Sequence, residues 1–370
     1  MQRRISNLAT NSILAQWVAA KDAEVAEASF FKINQAATPI DPTERRILQA
    51  RKSPNAIAAR AIVRAGGGHK YWAEFDPDIR LRIENLSRDL YRSLYEPPLE
   101  DSPIKTLDIP VAGRGYNVLP FIFDLVNVAN DVNIPDSTKS KRIEDALPID
   151  AYGNQTVAFL ESVKRLVQRI TGTHPASLGV HPAIYFYTRS GAFQPVSFLA
   201  TAQFLEQLDA ASALVEFTAH RRLFEDFLAA NKDFVSLTIH KYGSGGRSLS
   251  WVRKIFFDVY QHIKSGKTVE ETREAFFDDP EYFYLIQAKG PSPRAQESAG
   301  KTSGKMSTRT KSAIFLETAT SNTTRCAICG AITHRNAMNI DHIQRRRDGG
   351  TADMSNAQIT HPFCNSTVKN

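Results

Sequence analysis

Apolar side chains recur at helical spacing in two long stretches of the chain. The first stretch has Val157, Leu160, Val163, Leu166, Val167 and Ile170 at such positions, and the second has Leu214, Phe217, Leu223, Phe224 and Phe227. This spacing places the side chains on one face of a helix. Both stretches are therefore predicted to be helices that turn these side chains into a hydrophobic core.

Local signals predict where further helices begin. The segment Asp-Pro-Thr-Glu at 41–44 combines a capping acceptor, an early proline and an acid in the first turn, and Thr268 with Glu271 has the spacing of a capping box. The glycine-rich segment 241–248 leads into an apolar-periodic stretch at 249–263. A helix is expected there, and its start is either a plain loop or a place for a phosphate.

Two short runs rich in β-branched and aromatic residues, at 183–188 and 234–240, are predicted to be strands. They are too few for an alternating strand and helix pattern, so residues 1–288 are predicted to be mainly α with minor β. Residues 289–312 are rich in Lys, Ser, Thr, Gly and Pro and predict a flexible linker. Residues 313–370 then form a small C-terminal domain.

Positive charge is concentrated at that C-terminal end. The formal net charge is +7, and residues 301–370 carry ten lysines and arginines against four acids. Clustered positive charge attracts polyanions, so this end is expected to meet nucleic acid, the alternative being a basic tail that only aids solubility. Because the sequence shows neither a signal peptide nor a membrane span, a cytoplasmic location and no membrane partner are expected.

All three cysteines lie within the last part of the chain, in two pairs of equal spacing. Cys326 and Cys329 form the first pair, and His361 and Cys364 form the second. Cytoplasmic thiols stay reduced, so such a set favours a metal over disulfides. Three thiolates and one imidazole match a closed structural Zn²⁺ site, the alternative being free thiols.

Residues between and after these pairs suit phosphodiester hydrolysis. Such a reaction needs a base to deprotonate water, a cation to neutralise the phosphate, and ligands that hold the cation. Asp341, His342 and Asn365 can supply these parts, and Asn356 and the pair Gly-Gly at 349–350 lie between them.

In this order of residues the C-terminal end resembles the HNH, or ββα-metal, nucleases. The resemblance implies that the Asp-His pair ends the first strand and that the last Asn opens a helix. It makes His342 the general base, Asp341 and Asn365 the ligands of a catalytic Mg²⁺ or Mn²⁺, and Asn356 the residue that holds the loop behind the base. Zinc bonded to Cys364 would fix the start of the helix that carries Asn365.

His361 departs from the family pattern, which usually has Cys at this place. Two roles stay open for it, a substituted zinc ligand or a motif histidine near the catalytic metal, and the equal spacing of the two pairs favours zinc. The run Arg345, Arg346 and Arg347 directly follows the predicted base. These arginines are expected to contact phosphates, the alternative being a solvated basic loop.

The sequence therefore predicts an HNH endonuclease that hydrolyses DNA, with double-stranded DNA as the expected substrate and Zn²⁺ as a structural ion. The alternatives are a zinc-dependent nucleic-acid-binding module that does not cut, and an RNA-cleaving toxin. Residues 30–72 are faintly similar to ParB-like proteins of bacterial restriction and phage defence. A role in restriction or antiviral defence is expected, with the N-terminal region as a sensor or as a site for a protein partner or regulatory subunit.

Overall fold

The computed structural model describes residues 46–48, 50–68, 71–99, 102–113, 118–135, 147–243, 245–289 and 304–369. The helix start predicted at 41–44 lies outside these residues, as does the beginning of the segment that resembles ParB-like proteins. Residues 46–370 belong to one compact unit. Helices predominate in its described part, so the predicted mainly α class is confirmed.

Eleven α-helices lie wholly within the described residues. In chain order they are α1 (Pro54–Val63), α2 (Pro77–Tyr95), α3 (Val118–Val128), α4 (Asn154–Ile170), α5 (Pro182–Tyr185), α6 (Pro195–Ala210), α7 (Leu214–Ala230), α8 (Asp233–Tyr242), α9 (Gly246–Lys264), α10 (Val269–Asp278) and α11 (Thr308–Ser321). A 3₁₀ helix, Pro280–Lys289, follows α10. Among the described helices, none is both long and apolar enough to cross a membrane.

Both helices predicted from apolar periodicity are confirmed as α4 and α7. Every predicted core position of α4 is buried. In α7 the same is true except at Leu223, which is 42% exposed. Successive residues of a helix point about 100° apart, so Leu223 cannot share the buried face of its neighbour Phe224. Its assignment to the core was wrong for this reason.

The predicted start of α10 is also confirmed. The Thr268 hydroxyl accepts a hydrogen bond from the Glu271 amide (3.2 Å), and the Glu271 carboxylate accepts one from the Thr268 amide (2.8 Å). These reciprocal bonds satisfy two amides that a helix start leaves without a partner. The helix expected after the glycine-rich segment is α9.

The two strands predicted in the large region are wrong. Residues 183–188 contain most of α5 and a single antiparallel bridge between Tyr187 and Phe193, and residues 234–240 lie within α8. The first run is apolar without a period, which cannot distinguish a buried strand from a buried helix. Pro182 favours a helix there, because it lies in the first helical turn, where a backbone N–H has no partner within the helix.

Both described strands lie in the C-terminal segment. Strand β1 (Asn339–His342) pairs antiparallel with β2 (Ala357–Thr360), and a π-helical turn, Cys364–Val368, follows. Leu316, Ile332 and Phe363 of this segment join the hydrophobic core that the helices form. The small ββα unit is therefore packed onto the helical region through apolar contacts.

The range predicted as a linker ends in helix. Helix α11 begins at Thr308, where the Ser307 hydroxyl accepts a hydrogen bond from the Thr310 amide (3.1 Å). The polar composition that predicted a linker is also that of an exposed helix start, because Ser and Thr cap helices well. The domain limits at 288 and 313 remain a prediction.

Candidate functional site

The first cysteine pair lies on a tight turn that its own backbone stabilises. The Cys326 amide donates to the carbonyl of Ala331 (2.8 Å), and the Gly330 amide donates to the carbonyl of Cys326 (2.9 Å). Gly330 has φ +71°, a conformation that residues with a Cβ rarely adopt. The Ala327 amide donates to Ile359 of β2 (2.9 Å), so the turn is tied to the sheet.

The second pair lies where β2 leads into the π-helical turn. His361 and Cys364 are fully buried, and Cys326 and Cys329 are also buried. The ligand atoms of all four residues lie within 4.8 Å of one another. The structure therefore brings together the complete set of predicted zinc ligands.

The distances within this set fit a tetrahedral zinc site. The Cys329 sulfur lies 3.4 Å from Nδ1 of His361. Zinc bonds of about 2.3 Å to sulfur and about 2.0–2.1 Å to nitrogen at a tetrahedral angle separate S and N by roughly 3.5 Å. Nε2 of His361 lies 3.2 Å from the carbonyl oxygen of Ile332, so the proton belongs on Nε2 and Nδ1 faces the cluster. His361 is thus positioned as a zinc ligand.

The thiols interact strongly with one another in this cluster. The pKa of Cys326 is lowered because the thiols of Cys329 and Cys364 donate hydrogen bonds to it. A thiolate is the form that binds metal. The buried, sulfur-rich donor set favours a soft or borderline ion such as Zn²⁺ over Mg²⁺ or Ca²⁺.

Strand β1 carries the first of the predicted catalytic residues. The Asp341 side chain is only 10% exposed, and its Oδ2 accepts hydrogen bonds from the side-chain nitrogen Nε2 of Gln358 (3.0 Å) and from Nζ of Lys369 (2.6 Å). Gln358 is the residue opposite Asp341 in the two-stranded sheet. The carboxylate is therefore held between the sheet and the C-terminal end of the chain.

Lys369 shows which face of the C-terminal turn looks toward β1. Its ammonium group donates both to Asp341 and to the backbone carbonyl of His342. Asn365 lies one helical turn before Lys369, and residues four apart share a face of a helix. The backbone amide of Asn365 donates to the carbonyl of His361 (3.0 Å), so the backbone of Asn365 is held by the predicted zinc ligand His361.

His342 ends strand β1 and is half-buried. The loop that follows it is held by Asn356. The side-chain oxygen of Asn356 accepts from the Gln344 amide (2.7 Å), and its nitrogen donates to the carbonyls of Gln344 (3.0 Å) and Thr351 (2.7 Å). Asn356 also accepts from the Ile343 amide through its backbone (2.8 Å). One side chain thus closes the loop directly behind His342.

Residues 326–370 match the family model described as HNH endonuclease. The C-terminal end of the chain is an HNH domain. No curated protein and no solved structure matches the chain. An HNH domain points to metal-dependent nuclease activity on nucleic acid, while the large helical region has no such assignment.

The loop of the HNH domain between His342 and Asn356 carries the three arginines. Arg346 and Arg347 are exposed and Arg345 is half-buried, and no ion pair of any of them is seen within residues 304–369. Gly350 lets the loop close tightly, because a Cβ there would lie 1.9 Å from the carbonyl oxygen of Gln344. The guanidinium groups of Arg346 and Arg347 are therefore available to a ligand in solution.

Several residues at the HNH domain were not singled out from the sequence. Neither Lys369 nor Gln358 is predicted from the sequence to act at the site. Two residues of α7 in the helical region also contact this domain: Arg221 contacts His361, and Glu225 contacts the backbone of Ile332. Lys369 could have been found from its spacing to Asn365, whereas nothing local marks the two residues of α7.

Proposed function

We propose that the chain is a divalent-metal-dependent DNA endonuclease that hydrolyses phosphodiester bonds with its HNH domain. The observation that carries this proposal is the contact of Lys369 with both Asp341 and His342. We infer from this contact that the helix face shared by Lys369 and Asn365 lies toward the end of β1. In the proposed site a carboxylate, an imidazole and an amide oxygen would meet at this edge of the domain.

His342 is the general base in this proposal. A neutral imidazole can take a proton from water at neutral pH, and general bases of this kind commonly accelerate hydrolysis by about 10²–10⁴-fold. The hydrogen bonds of Asn356 restrain the backbone that follows His342, which keeps the base in one place relative to the substrate.

Asp341 and Asn365 would hold the catalytic ion. Both offer hard oxygen donors, which suit Mg²⁺ or Mn²⁺, and Asp341 already accepts a cationic group in the structure. A divalent ion there would neutralise charge on the phosphate and on the leaving oxygen. By resemblance to the HNH nucleases, the products would carry 5′-phosphate and 3′-hydroxyl ends.

A nicking assay on supercoiled plasmid tests the proposal. The full chain should convert supercoiled DNA into nicked or linear forms with Mg²⁺ or Mn²⁺ and should not do so with EDTA. DNA that is bound but never cut, in either metal, would instead favour a zinc-dependent binding module. Cleavage of structured RNA with intact plasmid would favour an RNA-cleaving toxin.

The arginine loop is expected to bind the phosphates of the substrate. Replacing Arg346 and Arg347 together by alanine should weaken DNA binding and reduce the slope of log affinity against log salt by about one for each lost phosphate contact. Fluorescence anisotropy over a salt series measures this slope. Arg88→Ala, an exposed arginine of α2, is the control and should leave it unchanged. Equal slopes for all these proteins would make the loop a solvated basic surface.

The helical region is proposed to recognise the DNA, a modification on it or a protein partner, in restriction or antiviral defence. The support is that a large helical region precedes the HNH domain, which is an argument by analogy. Infection of cells that express the chain or its His342→Ala variant tests the role. Equal phage growth in both strains would remove it.

A further inference from the structure

Helix α7 carries an ion pair with almost no access to solvent. The side chains of Arg221 and Glu225 are 0% and 1% exposed, and Nε of Arg221 lies 2.9 Å from Oε1 of Glu225. Removing two charges from water is costly, and their attraction compensates only when further hydrogen bonds satisfy the remaining atoms. The other hydrogen-bond partners of Arg221 and Glu225 therefore indicate what this ion pair stabilises.

Glu225 reaches the zinc ligand His361 through one backbone group. Its Oε2 accepts a hydrogen bond from the amide of Ile332 (2.9 Å). The carbonyl of the same residue, Ile332, lies 3.2 Å from Nε2 of His361. Glu225 thus fixes the peptide that orients the imidazole from its Nε2 side.

Arg221 reaches the same imidazole from the other side. Its Nη1 lies 3.5 Å from Nδ1 of His361 and donates to the carbonyl of Leu178, and its Nη2 donates to the carbonyl of Gly179 (3.1 Å). A Cβ at Gly179 would lie 2.5 Å from Cδ2 of His361, so the backbone itself touches the ring. His361 is therefore enclosed by Arg221 of α7 and by the backbone at Leu178 and Gly179.

We infer that Arg221 and Glu225 are positioning residues of the zinc centre, which fix the ring of His361 and set how tightly the chain holds zinc. The helical region then supplies part of the metal site of the HNH domain. This inference goes beyond the proposed nuclease function and depends only on the zinc centre, so either can fail without the other.

The positive charge of Arg221 also affects the zinc centre. A zinc ion bound by three thiolates and a neutral imidazole carries net negative charge, which is unfavourable in a buried place unless a cation is near. An arginine guanidinium keeps its positive charge in proteins, and Nη1 of Arg221 lies 3.5 Å from Nδ1 of His361. Arg221 therefore stays protonated and balances the thiolates.

Zinc affinity of the full chain tests the inference. Arg221→Met should weaken zinc binding by about 10–100-fold, the usual effect of removing a group that orients a ligand. Arg221→Lys keeps the charge and should recover most of the affinity. Competition with a chromophoric chelator measures the affinity. Cobalt substitution reports the geometry, since the visible bands of bound Co²⁺ should shift in the Met variant and shift less in the Lys variant.

Two further variants separate this role from a general effect on folding. Arg60→Met removes another buried arginine, one that donates to the carbonyl of Ile47 (3.0 Å), and should leave zinc affinity unchanged. Arg221→Met with Glu225→Met leaves no unpaired buried charge, so it should fold even where the single variant does not. Wild-type zinc affinity and cobalt spectrum in this double variant would overturn the inference. So would an Arg221→Lys protein that binds zinc no better than the Met variants.

Discussion

Replacing His342 by alanine should reduce the rate of plasmid nicking by about 10²–10⁴-fold, the usual contribution of a positioned general base. The variant should keep its zinc and its melting temperature. In the wild-type protein His342 is half-buried at the end of β1. The contact of Lys369 that orders this end is made with the backbone carbonyl of His342, which alanine retains. The loss should therefore appear in kcat rather than in DNA binding.

His240→Ala is the matched control for this experiment, because His240 is an exposed histidine on α8 outside the HNH domain. It should nick plasmid at the wild-type rate. Undiminished nicking by the His342 variant would remove the proposed base, whereas lost nicking together with lost zinc would show damage to the scaffold. Metal content, melting temperature and single-turnover rate on the same preparation distinguish these results.

The helical part of the fold was predictable where one face of a helix is apolar and the other polar. Helix α4 is such a case. Helix α8 is not, because its apolar residues Val235, Leu237 and Ile239 alternate with polar ones as in a strand. The structure buries Thr238 instead and leaves Ile239 half-exposed, and the Thr238 hydroxyl donates to the carbonyl of Phe234 (2.7 Å). A threonine can be buried when its hydroxyl finds a hydrogen-bond acceptor within its own helix. The spacing of apolar residues therefore did not predict that α8 is a helix.

The zinc ligands were predictable because their information is local. Cys326 and Cys329 share one turn, His361 and Cys364 share another, and a tetrahedral ion needs both pairs. The partners of these ligands were not predictable. Arg221 and Glu225 have the spacing of an ordinary surface ion pair on a helix, and only tertiary packing brings them to His361, far along the chain.

The attachment of the HNH domain was also invisible in the sequence. The polar segment before it predicts a flexible linker and does not indicate that Ile332 and Phe363 enter the core of the helical region. The Phe363 amide also donates to the carbonyl of Ser177 (2.9 Å). Side chains that bury themselves against a distant helix carry no local signature. This packing limits how the proposed nuclease activity can be regulated, because movement of the domain would expose apolar surface.

Replacing Cys364 by serine should remove both the zinc and the nuclease activity. Small zinc modules obtain about 10–16 kcal/mol of apparent free energy from the ion, which is folding energy for a segment with so little core of its own. The cluster of Cys326, Cys329, Ala331 and Cys364 is separate from the main core and has Ile328 and Val368 packed against it, which is little apolar surface to replace the metal. Zinc content near zero and no detectable nicking are expected.

The loss of structure in this variant should be confined to the zinc-dependent end of the chain. The helices have their own core, so the far-ultraviolet circular dichroism should change little, while amide exchange should become fast around Cys326 and in β2. Wild-type protein stripped by a chelator should lose the same protection and regain it with added zinc, which the serine variant cannot do. A Cys364→Ser protein with full zinc content and unchanged exchange would contradict a structural role for the ion. Compared with the His342→Ala variant, which is expected to keep zinc and lose only activity, this result would separate the structural role of the ion from the catalytic role proposed for His342.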